Sequence, residues 1–468
     1  MKKTVFLIMT AVIASFFVLS VQRSEAVPSY ARQLEKPCTA CHTIWPNLNQ
    51  YGRQFKVKAY TDASPDWDVV SKDRLNLFYI FPISARIMFI PYQIEQDHSA
   101  ATAGSVNSTY NVNQTFIDNM QIFLAGRIYR YAGLFTSVES GAVGGSGNAS
   151  GNFSLAVAKF AFAYPLSNGN TLGLVLFHGQ STSADPFDSL GGWDRDIATP
   201  DTEGLPWVLS KGWTSSFWSG NSRNGATVHG YFLGNQLYAA LSVMRGSGVS
   251  DADFFATTFM HQLSNPLASP ENASTGPVSG YARVAWDQKL SNGAATFGGI
   301  VYTGQERVTS TAGVAAVPFI TTRINRQYLD ASLEQNFGTN NLVEAKAIYG
   351  FGQESGLTGI TNGTAALGSG DKRNFNGGSV EADYFFRRTY GIVGQYNWVT
   401  NFKVQPQDFD PATSQHTWLV GLNYLPWLNT KVQFIYANTR SNYLTGGTVT
   451  SGPSETDKIY KFMVDVAF

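Results

Sequence analysis

From about residue 73 to the C-terminus, apolar and polar positions alternate with a period of two. The last nine residues show the pattern most cleanly. Tyr460, Phe462, Val464, Val466 and Phe468 fall on one face, and Lys461, Met463, Asp465 and Ala467 on the other. Successive strand side chains point to opposite sides, so this alternation predicts a strand with one apolar and one polar face. Tight turn signals fall at Ser167–Asn170, Gly234–Asn235, Ser291–Gly293, Gly338–Asn340 and Pro426–Asn429, with weaker ones at Arg130–Gly133 and Arg388–Gly391. Asn-Gly and Gly-Asn pairs suit two-residue hairpins. Between the turns lie longer stretches rich in Gly, Ser, Thr and Asn, near residues 94–113, 140–152, 181–224, 246–279, 304–323, 353–373, 399–415 and 440–457. Short and long connections therefore alternate, seven short and eight long, and predict about sixteen strands. Residues 73–468 then supply about 25 residues per strand and connection, enough for the roughly 10-residue tilted strand a bilayer needs. An even number of strands with short turns at one end and long loops at the other is the pattern of a transmembrane antiparallel β-barrel. A soluble β-sandwich has no reason to keep it.

The N-terminal residues break this period. Lys2 and Lys3 precede an apolar run from Val5 to about Val21, and Ser24-Glu25-Ala26 offers small residues for cleavage. Residues 1–26 read as a secretory signal peptide cut after Ala26. Residues 27–72 form a distinct segment holding both cysteines, with a helix expected over Pro46–Lys56. Pro46 suits a first helical position. Leu48, Tyr51 and Phe55 would share an apolar face. A polar linker follows at Thr61–Asp66. Residues 73–468 are the barrel, and the terminal Phe468 gives the chain an ending that resembles that of bacterial outer-membrane proteins.

Composition narrows the classes. Only 14% of the 468 residues are charged, against about 25% in ordinary soluble proteins. Aromatics also make up 14%, with 45 Gly, which suits an all-β membrane barrel and excludes a disordered chain. Thirty-three basic residues balance 33 acidic ones, so no basic excess serves nucleic-acid phosphates. Cleavage would remove Lys2, Lys3, Arg23 and Glu25 and leave 30 basic and 32 acidic residues. So few carboxylates mean little charge change on acidification, which fits an acidic habitat.

The chemistry sits in Cys38-Thr39-Ala40-Cys41-His42, a C-x-x-C-H built from the chain's only two cysteines. Two thiols at this spacing can add to the vinyl groups of haem, and the adjacent His then becomes an axial iron ligand. A thioredoxin-like pair would need a βαβ setting, and a zinc site a second Cys/His pair; neither is present in the sequence. Cys38, Cys41 and His42 are therefore the expected sites of one covalent haem c. Residues 27–72 contain no other His and no Met, so a sixth ligand from His or Met must come from the barrel. Met88 is one candidate, sharing a strand face with Ser84 and Arg86; a Tyr, a Lys, the α-amino group or water are the other donors. Met120 shares a face with Asp118, and His98 falls in the first outer connection. About 45 residues cannot bury a haem alone, which predicts a small helical haem plug in the barrel lumen or at its periplasmic mouth. Expected lumen-facing residues are Arg86, Arg127, Lys159, Asp330, Glu334, Glu344, Lys346, Glu381, Asp383, Lys431 and Asp465.

The run Pro28–Gln33, the C-x-x-C-H and then Trp45-Pro46-Asn47-Leu48-Asn49-Gln50-Tyr51-Gly52-Arg53-Gln54-Phe55-Lys56 with Tyr60 resembles the fused monohaem cytochrome–porins, the outer-membrane iron oxidases of iron-oxidising bacteria. Phe123–Arg127 resembles that family's second strand. The resemblance implies that Cys38 and Cys41 bind haem and that His42 is an axial ligand. It also implies a function: Fe(II) outside the cell gives an electron to the haem, which passes it to a periplasmic cytochrome or copper protein. Outer-sphere transfer needs no catalytic acid or base, and the sequence offers no nucleophile–His–acid constellation. Two other readings share the architecture: a conduit for a different extracellular redox partner, and a porin with a structural or sensory haem.

Overall fold

A computed structural model describes residues 28–44, 47–62, 82–101, 105–140, 153–179, 185–187, 223–246, 278–309, 319–338, 340–355, 360–361, 364–365, 372–400, 412–427, 429–443 and 455–468. The expected signal peptide and most of the linker lie outside these residues. Two short helices come first, α1 (Pro28–Leu34) and α2 (Gln50–Val57), with a 3-10 turn at Cys38–Ala40 between them. The first eleven strands follow: β1 (Ile83–Ala101), β2 (Ser105–Tyr129), β3 (Ala132–Ser140), β4 (Phe153–Pro165), β5 (Thr171–Gly179), β6 (Arg223–Phe232), β7 (Leu237–Gly246), β8 (Val278–Leu290), β9 (Gly293–Thr309), β10 (Phe319–Phe337) and β11 (Asn341–Ser355). A two-stranded hairpin, β12 (Ile360–Thr361) and β13 (Thr364–Ala365), sits in a long connection. The remaining strands are β14 (Lys372–Phe386), β15 (Tyr390–Thr400), β16 (Ala412–Trp427), β17 (Thr430–Tyr443) and β18 (Glu455–Ala467).

All strands but β12 and β13 form one closed antiparallel barrel of sixteen, each paired with its sequence neighbours, and β1 pairs with both β2 and β18. Phe468 seals the closing seam: its N–H donates to the Ala85 carbonyl and its own carbonyl accepts from the Ala85 N–H, at 2.8 and 2.7 Å. Closure leaves no strand edge unpaired, which a lipid-facing sheet requires. Side chains alternate as expected of such a wall. In β7, Leu241 and Val243 are 68% and 61% exposed, whereas Ser242 and Met244 between and beside them are buried. Tyr129, Tyr164, Phe337, Phe386, Tyr390 and Phe468 stand exposed at the end with the short turns, an aromatic girdle of the kind that marks a membrane interface. The expected inward row is inward: Arg86, Arg127, Lys159, Asp330, Glu334, Glu344, Glu381, Asp383, Lys431 and Asp465 are buried and Lys346 is half-buried.

Several strands outrun the expected long connections. Pairing of β1 with β2 continues to Ala101↔Ser105, and β9 with β10 to Thr309↔Phe319. Backbone bonds alone extend a ladder where the apolar face has ended, so a pattern read from apolar positions stops early.

Candidate functional site

The C-x-x-C-H motif is folded into a compact turn. The Cys41 and His42 N–H groups both donate to the Cys38 carbonyl, at 3.1 and 2.9 Å. Asn49 holds this turn from the other side. Its amide nitrogen donates to the Thr39 and Ala40 carbonyls at 3.2 and 3.0 Å, and its backbone N–H donates to the Cys41 carbonyl at 2.9 Å. Its Oδ1 accepts from the Gly52 N–H at 2.9 Å and caps α2. The helix therefore starts at Gln50, not near Pro46, which lies outside the described residues. Its buried face also differs from the expected one: Gly52, Arg53, Phe55 and Val57 are buried and Tyr51 is half-exposed. A polar Arg can face inward because the barrel supplies its partners. Gly52 has a separate reason: a Cβ there would overlap the Cys41 carbonyl oxygen.

The two cysteines are not joined by a disulfide. Burial pushes the Cys41 thiol up to about 12, the opposite of the lowered value a reactive dithiol needs. Two thiols on one turn with an imidazole directly after them are the donor set of haem c. Nearby, Lys36 donates to the Tyr51 hydroxyl at 2.9 Å and lies 4.5 Å over its ring. Burial, then Asp62, raise the Tyr51 phenol above its ordinary range.

Residues 28–62 are bonded to the inward face of the barrel near the short turns. The Tyr30 hydroxyl donates to the Leu134 carbonyl at 3.1 Å, and Gln33 to the Ala125 carbonyl at 3.0 Å. Tyr30 stacks on Tyr60 and meets Phe55 edge-on, and Tyr60 stacks on Phe135 of β3. Asn47 donates to Glu344, and the Gln50 N–H donates to Glu334 at 3.1 Å. Arg53 donates to Asp287 at 3.0 Å and Glu334 at 3.2 Å, with little of either side chain in contact with water. Burial alone would lower the Arg53 pKa, but Asp287 and Glu334 hold it above its ordinary value. Tyr231 also donates to Asp287.

A second piece of chain meets the segment inside the barrel. Asp185–Phe187 belongs to the connection between β5 and β6 and is buried. Asp185 accepts from the Tyr238 hydroxyl at 3.1 Å and from Arg283 at 2.9 Å, while Arg283 also reaches Asp330 at 2.8 Å. The Phe187 ring stacks on Tyr238 with centroids 4.8 Å apart and lies 5.9 Å from the Arg53 and 5.5 Å from the Arg283 guanidinium. Phe187 and Val57 share one apolar cluster with Tyr231 and Tyr238.

No protein-family model matches the chain, and no curated protein sequence does either. Similar solved structures exist. An anion-selective porin from Comamonas acidovorans aligns at a TM-score of 0.45 and 13% identity, covering 82% of this chain and 99% of that one. OprB of Pseudomonas putida aligns at a TM-score of 0.49 and 9% identity, covering 82% and 94%. OmpT, an outer membrane protein of Vibrio cholerae, aligns as a loop-deletion mutant at 0.45 and 9%, covering 82% and 98%.

The expected ligand positions fall as follows. Cys38, Cys41 and His42 lie together on the turn. Met88 is half-buried on β1, opposite Asp465, which Arg86 also binds at 2.9 and 3.0 Å. The segment near His42 is tied instead to β11 and, through Arg388 to the Thr43 carbonyl at 3.4 Å, to the β14–β15 turn. Met120 is a correction. Gln121 faces inward against Arg86, so Met120 belongs to the outward row with Ile122 and Leu124. The pairing agrees: Met120 stands opposite Ile87 and Asn119 opposite Met88, next to a register shift between Met88 and Ile90. His98 is also a correction: it lies on β1 itself, not in a connection. Sequence reasoning missed Asn49, Asp287 and the Asp185–Phe187 insertion. Asn49 three residues before Gly52 is a legible cap; Asp287 sits on the inward parity of β8 with Arg283 and Ala285.

Proposed function

We propose that the chain is a bacterial outer-membrane electron-transfer protein that oxidises extracellular Fe(II) with one covalent haem c and hands the electron to a periplasmic cytochrome or copper protein. The observation that carries this reading is a C-x-x-C-H turn on a segment bonded inside a closed sixteen-strand barrel. Haem c supplies a one-electron couple when bound. Cys38 and Cys41 would hold it through thioethers, His42 would bind its iron from the segment, and Met88 would offer a ligand from the wall. Asn49 and Gly52 fix the turn that presents these three groups. Arg53, Tyr30 and Gln33 anchor the turn to the wall, so the segment serves as a haem plug. Moving only the electron leaves the product Fe(III), insoluble at neutral pH, outside the cell.

The lipid-facing apolar rows and the aromatic girdle support the membrane setting. The short turns, the segment and the C-terminal strand end lie together, which fits a periplasmic end. The N-terminal segment and Asp185–Phe187 take up room inside the ring of strands, which favours electron transfer over solute diffusion. Mass spectrometry of the purified protein tests the cofactor: the mass of the chain plus one haem is expected to survive denaturation and to be lost in Cys38→Ser/Cys41→Ser. A chain mass without haem in the intact protein would end this reading.

A further inference from the structure

The chain as a whole is balanced, yet the described residues of its short-turn end are not. Arg130, Lys289 and Arg387 are exposed on or beside the turns that follow β2, β8 and β14, and Lys36 and Lys58 are half-exposed on the N-terminal segment. Among the described residues at this end, the exposed acidic side chains are Glu35 and Asp62. Asp287, Glu334, Glu344, Asp383 and Asp465, near the same end, are buried and turned inward. Lys58, Arg127 and Arg130, with Asp62, line a recess of about 570 Å³ between the end of the segment and the β2–β3 and β4–β5 turns.

We propose that this basic face is the docking surface for an acidic, soluble electron-accepting protein. The inference rests on the function proposed above and names the charge and position of the partner. Two observations favour a protein over anionic lipid headgroups. Lys36 and Lys58 belong to the segment inside the barrel's ring of strands, whereas lipid lies outside that ring. Lys36 also stands 4.5 Å over the ring of Tyr51, on the helix that Asn49 ties to the C-x-x-C-H turn, so a positive charge lies on the segment beside the motif. Electron transfer needs a brief, close encounter, and opposite charges speed such encounters without requiring a tight complex.

The test uses the full-length holoprotein in detergent, its haem reduced with dithionite and freed of excess reductant. Two acceptor probes are mixed with it: plant plastocyanin, an acidic copper protein, and mitochondrial cytochrome c, a basic one. Plastocyanin is expected to oxidise the haem faster, and its rate to fall at least about tenfold between about 10 and 300 mM salt. Lys58→Glu/Arg130→Glu/Arg387→Glu is expected to reverse the preference, while Arg440→Glu, an exposed change near the opposite end of β17, leaves it unchanged. A plastocyanin rate indifferent to salt and to the triple change would overturn the proposal. So would a triple change that alters only binding to phosphatidylglycerol vesicles. Because dithionite loads the electron, failure of Fe(II) as donor is a separate result and leaves the docking test readable. Equilibrium binding of plastocyanin by interferometry, which moves no electron, gives the same decision for a variant whose haem content is reduced.

Discussion

Arg53 bonds Asp287 at 3.0 Å across 234 residues of sequence, joining the helix after the C-x-x-C-H turn to the barrel wall. Neither side chain has more than a trace of exposure, and Glu334 and Tyr231 complete the network. Removing one partner of such a buried pair costs about 3–5 kcal/mol, because the remaining charge is left uncompensated. Arg53→Met is therefore expected to loosen the segment while the barrel, held by its own backbone ladder, stays folded. Limited proteolysis checks this: the variant should be cut between residues 62 and 82 at protease levels that spare the parent protein.

Asn49 makes a sharper prediction. Asn49→Asp keeps the helix cap but loses both amide bonds to the Thr39 and Ala40 carbonyls, and Asn49→Ala loses the cap as well, worth about 1 kcal/mol. Haem-to-protein ratios should fall in the order parent, Asp, Ala. Equal ratios would remove Asn49 from the haem-presenting turn.

Gly52→Ala tests the close approach of α2 to the Cys41 carbonyl. Backbone must move to admit the methyl group, at a cost of about 1–3 kcal/mol. Haem loading should drop, with strand content by circular dichroism unchanged.

Much of the barrel was legible in the sequence, because a two-residue period and turn chemistry are local properties. The seven short turns fall where the Asn-Gly, Gly-Asn and related signals place them, and the inward charged row follows from strand parity. Parity failed at Met120, close to a register shift between β1 and β2, and such a shift leaves no apolar signature. The site was legible only as far as its covalent chemistry. Cys38, Cys41 and His42 announce themselves by spacing, but Asp287 and Phe187 act through contacts with residues from about fifty to more than two hundred positions away. No window along the chain contains both halves of those contacts.

Phe187 carries the prediction about permeation. Its ring fills the space between Arg53, Arg283 and Tyr238, so the parent protein in liposomes should pass little solute. Phe187→Ala should raise flux modestly, and deletion of residues 28–62 should raise it several-fold further. Free permeation by the parent protein would favour the porin reading with a structural haem.

Met88→Ala addresses the wall ligand. If Met88 binds the iron, the variant converts a low-spin haem to a high-spin one in its optical and magnetic spectra. An unchanged spectrum removes Met88 and directs attention to other lumen groups.

The central claim is tested most directly by mixing oxidised, purified full-length protein with Fe(II) without oxygen and following the haem absorption bands. The account predicts that the bands shift to the reduced form within the mixing experiment. Bands that stay oxidised, in a protein whose haem potential lies above that of the iron couple, would contradict it.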